Sequence, residues 1–142
     1  MKISSPSFKH KGPIPSKYTC KGDDINPALF IEGVPTRAKS LALIVDDPDA
    51  PAKIWVHWLV CNIALEKQIV ENSSPGIEGL NDSGDTGYSG PCPPSGLHRY
   101  FFRLYALDTK LELEKDFSRT QLEKAMEGHV LEQAELIGLF SK

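Results

Sequence analysis

Three stretches of the chain carry the densest hydrophobic pattern. Ser40 to Val45 is rich in β-formers and runs into Asp46-Asp47-Pro48-Asp49-Ala50-Pro51, a sequence of turn-forming residues. Ile54 to Ile63 holds Trp, Val and Ile, and its β-branched and aromatic content favours a long strand over a helix. His98 to Leu107 is the third. Shorter patterns predict strands at Met1–Ser4, Ala28–Glu32 and Glu135–Phe140. One helix has both boundaries marked. Ser118-x-x-Gln121 is a capping box, Phe117 and Leu122 suit a hydrophobic staple, and Gly128 stands at the C′ position. Residues 72–96 hold many Gly, Pro, Ser, Asn and Asp and predict a long ordered loop. Several strands, Pro/Gly-rich connections and one or two short helices predict a mainly β sandwich.

Strand alternation then sorts the side chains by face. It puts Leu41, Leu43, Val45 and Asp47 on one side of the first strand. It groups Trp55, His57, Leu59, Cys61 and Ile63 on the second, and His98, Tyr100, Phe102, Leu104 and Ala106 on the third, with Arg99 and Arg103 opposite. Asp47, His57 and His98 are thus polar groups on apolar faces. If the first two strands pair through the short turn, Asp47 and His57 lie at one sheet end, and His98 joins them if the third strand starts there.

Composition narrows the class. Hydrophobic residues make up 40% and charged residues 25% of 142 residues, a globular balance that predicts one domain over 1–142. The net charge of −3 excludes a broad basic footprint for nucleic acid. The hydrophobic run Ile54–Leu65 is too short to cross a bilayer, and the N-terminus shows no signal-peptide pattern, so a cytoplasmic protein is expected. The 11 prolines exceed the roughly 7 that average usage gives, and Pro48, Pro51, Pro91, Pro93 and Pro94 fall in the loops beside the polar groups, where they would stiffen them.

Two imidazoles supply hydrogen-bond donors and, near neutral pH, positive charge. A nearby carboxylate orients an imidazole and favours its protonated form. Tyr100 adds a hydroxyl, and the amides of Ser89 and Gly90 can approach an anion closely because glycine lacks a Cβ. This set suits a phosphate or carboxylate, with Asp47 and Asp49 free to accept from an amine or hydroxyl on the same ligand.

Asp47-Pro48-Asp49-Ala50-Pro51, Trp55-Val56-His57-Trp58 and Gly96-Leu97-His98-Arg99-Tyr100 resemble the signature regions of the phosphatidylethanolamine-binding proteins, also called Raf kinase inhibitor proteins. Pro15 to Cys20 and Gly79 to Pro94 resemble the bacterial and archaeal branch. The resemblance spans almost the whole chain. It implies an antiparallel β-sandwich with Greek-key connections and a small preformed anion pocket built from Asp47, Asp49, Pro51, Trp55, His57, Gly90, His98 and Tyr100. It implies a non-enzymatic binding or regulatory protein for phosphate-bearing small molecules or lipid head groups, inhibiting a protein kinase or a serine protease, with no cofactor. Animal members continue into a further helix beside the pocket, whereas this chain stops soon after Glu135–Phe140. A more open pocket, or one covered by a second subunit of a homodimer, is the corresponding expectation.

Rival readings use the same residues. The Asp/His cluster and Tyr100 suit a small hydrolase, with Cys92 a possible nucleophile beside His98. Two histidines and a carboxylate suit a metal-dependent enzyme. In a third reading the pocket is vestigial and surface loops inhibit a protein partner. Cys20 and Cys92 both fall in loops and are candidates for a disulfide, although a reducing cytosol would oppose it. Cys61 is expected to be buried on its strand.

Overall fold

The stretches richest in β-branched and aromatic residues form the centre of the larger of two sheets. In a computed structural model, which describes residues 1–142, the strands are β1 (Lys2–Ser4), β2 (Gly12–Pro13), β3 (Leu29–Glu32), β4 (Ser40–Asp47), β5 (Trp55–Ile63), β6 (Gln68–Ile69), β7 (Ile77–Glu78), β8 (Leu97–Leu107) and β9 (Val130–Ser141). The larger sheet has the order β2-β9-β8-β4-β5-β7 and the smaller β1-β3-β6. The chain changes sheet repeatedly, and β8 returns from a long connection to lie beside β4, a Greek-key arrangement. All pairs are antiparallel except β2 with β9, which is parallel.

Both faces of the larger sheet are covered, which explains why all eight residues of β4 are buried. Leu41, Leu43, Val45, Phe102 and Leu104 face the smaller sheet and pack with Ile3 and Ile31. Ala42, Ile44, Leu59 and Cys61 face the other way, against Leu111, Phe117, Leu122 and Met126. The last two belong to α1 (Arg119–Met126). Ser118 accepts from the Gln121 amide and Gln121 reaches back to the Ser118 amide, completing the capping box. Gly128 follows with φ +78°, the left-handed conformation that ends the helix. Burial of Leu122 and Met126 contributes roughly 1.5–3 kcal/mol each.

The observed elements differ from expectation in several places. β4 runs through Asp47, because pairing with both β5 and β8 outweighs the turn preference of the two aspartates. β9 begins at Val130, since it pairs with β8 along its whole length. The stretch 72–96 is not entirely loop: it contains β7 and an isolated bridge between Leu80 and Thr86. The very short β2 and β6, and a 3-10 turn at Ser16–Tyr18, carry no periodic signal.

The main correction concerns β5. Strict alternation would leave Leu59 and Cys61 on the side of Trp55 and His57. The register against β4 shifts between Val45–Trp58 and Asp46–Val56, so His57 is an extra residue there, and again between Leu41–Ile63 and Leu43–Val60. Each bulge flips the faces that follow. Trp55 pairs with Asp47 and Trp58 with Val45, while Leu59 and Cys61 point to the helix side. Ile63 returns to the inter-sheet core through the second bulge, where Asn62 has φ +53°. The Asn62 side chain there bonds both backbone groups of Leu111 at 2.8 Å and ties the 108–113 segment to the sheet.

Candidate functional site

Strand direction assembles the polar cluster. β4 lies between β5 and β8 and runs antiparallel to both, so its C-terminal end meets their N-terminal ends. Asp47, Trp55, His57, His98 and Tyr100 consequently line one cavity of about 310 Å³. Pro51 and Gly90 also line it, as do Ala50, Ala52, Ser83, Ser89, Cys92 and Pro94. Pro48, Pro91 and Pro93 lie outside the lining.

Each imidazole is held by its Nδ1. His98 Nδ1 lies 2.6 Å from Asp47 Oδ2, and both side chains are buried. His57 Nδ1 lies 2.6 Å from the carbonyl oxygen of Ser89, whose own amide donates to the His57 carbonyl at 2.9 Å. The Nε2 atoms have no partner in the protein. Tyr100 packs edge-on against His57 and stacks with His98, with ring centroids 5.2 and 6.5 Å away. Its hydroxyl is buried without a hydrogen-bond partner, the single such side-chain atom in the protein. Burial pushes the Tyr100 hydroxyl well above its ordinary value, so it is a protonated donor. Burial also holds His57 below the ordinary histidine range, outweighing the Ser89 carbonyl and nearby carboxylates.

Several expected roles change. Asp49 does not line the cavity; its carboxylate takes Nε, Nη2 and the backbone amide of Arg99, each at 2.9 Å. That guanidinium holds Asp49 below the usual carboxylate range. Asp47 is not free to accept from a ligand, because Oδ2 faces His98 and Oδ1 takes the Asp49 amide at 2.8 Å. The Ser89 and Gly90 amides are not free either: Gly90 donates to Asp24 Oδ1 at 2.7 Å. Gly90 serves close packing instead, since a Cβ there would lie 2.3 Å from the Tyr18 carbonyl oxygen. His57 supplies a neutral ring, not the positive charge that two imidazoles suggest at first.

The cavity wall around residues 88–92 therefore rests on the segment 18–24. Tyr88 donates to the Tyr18 carbonyl at 2.7 Å and the Cys20 amide to the Pro91 carbonyl at 3.1 Å. Cys20 and Cys92 are joined as a disulfide with Cα atoms 5.5 Å apart. Cys61 is free and buried, its thiol pushed up to about 11 by desolvation.

Asp46, next to Asp47, escaped attention in the sequence. It is fully buried on the helix side and accepts two bonds from Arg103 at 3.1 Å and one from Arg119 at 2.8 Å. This pins α1 to the back of the strand that carries the cavity. Alternation places Arg103 opposite Tyr100, and in the structure that is the face on which Asp46 lies. No group of three His, Cys, Asp or Glu side chains lies in a metal-ligating arrangement. No helix is long and apolar enough to cross a membrane.

Fold and cavity together define a two-sheet β protein with a preformed polar cavity at one end of its central strands. The family model described as phosphatidylethanolamine-binding protein matches residues 4–141, and the chain belongs to that family. Among its relatives is a UPF0098 protein of Methanothermobacter thermautotrophicus, 53% identical, with 100% of this chain and 99% of that one covered. A solved structure from Chlamydia trachomatis, described as a putative phosphatidylethanolamine-binding protein homolog, has a TM-score of 0.96 at 42% identity, covering 99% of this chain and 97% of that one. Escherichia coli YbcL, described as a new member of the mammalian family, has a TM-score of 0.92 at 28% identity, covering 99% and 98%.

Proposed function

We propose that the chain is a single-domain, non-enzymatic regulatory protein of the bacterial and archaeal Raf-kinase-inhibitor-like branch, whose cavity binds the phosphate of a small molecule or lipid head group. The carrying observation is the buried Tyr100 hydroxyl, which has no partner, beside two imidazole Nε2 atoms that have none. A buried donor without an acceptor costs about 1–3 kcal/mol, and a bound oxyanion removes that cost. The asymmetric walls, sheet on one side and stiff loops on the other, suit a ligand that enters head first. In this reading occupancy of the cavity alters its fit to a kinase or serine protease partner, either as one chain or as a homodimer.

Tyr100→Phe tests this directly. The hydroxyl makes no bond in the protein, so its removal leaves melting unchanged or slightly higher. Calorimetry with inorganic phosphate should show affinity reduced about 10- to 100-fold, the range for one hydrogen bond to a charged group. Unchanged affinity refutes the reading. A second reading rests on the Asp47–His98 pair, which has the geometry that orients a general base. Turnover of an aryl phosphate ester that is lost in His98→Gln would favour that hydrolase.

A further inference from the structure

The Cys20–Cys92 bond lies at the surface. Both residues are exposed, and Cys92 also lines the cavity. Exchange requires that a thiolate reach one of the two sulfurs, and exposed disulfides are the labile ones. The third cysteine takes no part. Cys61 is fully buried on the helix side of the larger sheet, in the cluster that holds Leu59, Leu111 and Phe117. The pair is therefore a closed two-electron unit, able to open and re-form without a competing thiol in the folded chain.

The bond is also joined to the cavity through the backbone. Pro91, next to Cys92, accepts from the Cys20 amide at 3.1 Å. Gly90 is anchored on Asp24, and Ser89 turns its carbonyl onto Nδ1 of His57. Tyr88 closes the run, with its ring edge-on to Trp58 and its hydroxyl on the Tyr18 carbonyl. Two thiols cannot approach as closely as two bonded sulfurs, so breaking the bond parts the segments 18–24 and 88–92 at the rim. Only three residues separate Cys92 from Ser89, the residue that sets the His57 ring.

We propose that Cys20–Cys92 is a thiol–disulfide exchange site for a dithiol reductant, and that its opening loosens the wall that orients His57. One thiolate of the reductant attacks a cystine sulfur, and the S–S bond breaks as the other cysteine leaves as a thiolate. The reductant's second thiol then displaces the first cysteine from the mixed disulfide. Two electrons pass to the protein, the reductant closes as its own disulfide, and its two protons end on Cys20 and Cys92. The inference concerns the wall alone and requires no ligand in the cavity.

The test treats the intact, native chain with dithiothreitol and counts thiols by alkylation and mass analysis at timed intervals. The count should rise from one to three. The rate should increase close to tenfold from pH 7 to pH 8, as the thiolate fraction of the reagent does, and urea below the unfolding transition should leave it unchanged. In the reduced protein the NMR signals of Ser89, Gly90 and the His57 ring should shift or broaden, while those of Leu122 and Met126 in α1 hold. Reoxidation should restore them. A rate that climbs steeply with urea, or a thiol count that stays at one until the chain is denatured, overturns the exchange site. Unchanged Ser89 and His57 signals after reduction overturn its link to the cavity. The double variant Cys20→Ser, Cys92→Ser should show the reduced pattern without reductant, and the oxidised pattern in that variant overturns the link as well. The comparison of the unaltered protein before and after reduction decides the matter whether or not the variant folds.

Discussion

Reduction of the Cys20–Cys92 bond is the perturbation whose size follows most directly from the fold. The bond spans 72 residues and includes β3, β4 and β5 within its loop. Chain-entropy reasoning assigns a loop of that length about 4 kcal/mol, because the cross-link removes conformations from the unfolded chain. For 142 residues the entropy of unfolding is about 0.3 kcal/mol/K, so the loss corresponds to a fall of about 13 °C in Tm. Differential scanning calorimetry with and without reductant measures it, with mass analysis under non-reducing conditions to count thiols. One free thiol, Cys61, is expected before reduction and three after it. The double variant Cys20→Ser, Cys92→Ser should melt with the reduced protein. A difference below about 3 °C between oxidised and reduced protein would refute the loop-closure argument, and three free thiols in the untreated protein would remove its premise.

Three further predictions address the site and its support. Gly90→Ala places a Cβ 2.3 Å from the Tyr18 carbonyl and 2.6 Å from Asp24 Oδ1, so the wall must move; a loss of about 1–3 kcal/mol in urea unfolding is expected, together with weaker phosphate binding. Asp46→Ala removes the fully buried carboxylate that holds Arg103 and Arg119, and about 3 kcal/mol of stability should go with it, read by the same titration. His57 has a folded-state pKa below its unfolded value of 6.5, so at acid pH the unfolded chain binds the extra proton more readily. Its stabilising contribution is therefore complete above pH 6.5 and is lost as pH falls through the lower, folded pKa. The melting difference between the wild type and His57→Gln should shrink from pH 7.5 to pH 5, and a constant difference would contradict the depressed pKa.

Much of the cavity could be read from strand alternation, but not uniformly. On β4 and β8 the rule places Asp47, His98 and Tyr100 correctly on the inter-sheet side, because both strands pair in continuous register there. On β5 it reaches His57 only because that residue precedes the effect of the first bulge. Beyond it, Leu59 and Cys61 lie on the opposite face from the one alternation assigns, since nothing in their side chains marks an extra residue. The wall was the least legible part. Asp24 to Gly90 and Tyr18 to Tyr88 are contacts across 66 and 70 residues, made by loops without periodicity. They depend on both sheets being in place. The same dependence explains why the amides of Ser89 and Gly90 were expected to face a ligand, when folding had already occupied them.

The docking of residues 88–92 on the segment 18–24 also imposes an order in time during synthesis. At about 5–20 residues per second, the 72 residues between Cys20 and Cys92 take about 4–14 s to emerge. Through that interval the Cys20 thiol lacks its native partner, although Cys61 has already emerged, and Asp24 lacks the Gly90 amide it will later meet. Any oxidant or competing thiol acting during those seconds meets half of a cavity wall. Closure of the correct disulfide then reports that the other half has arrived and found its place.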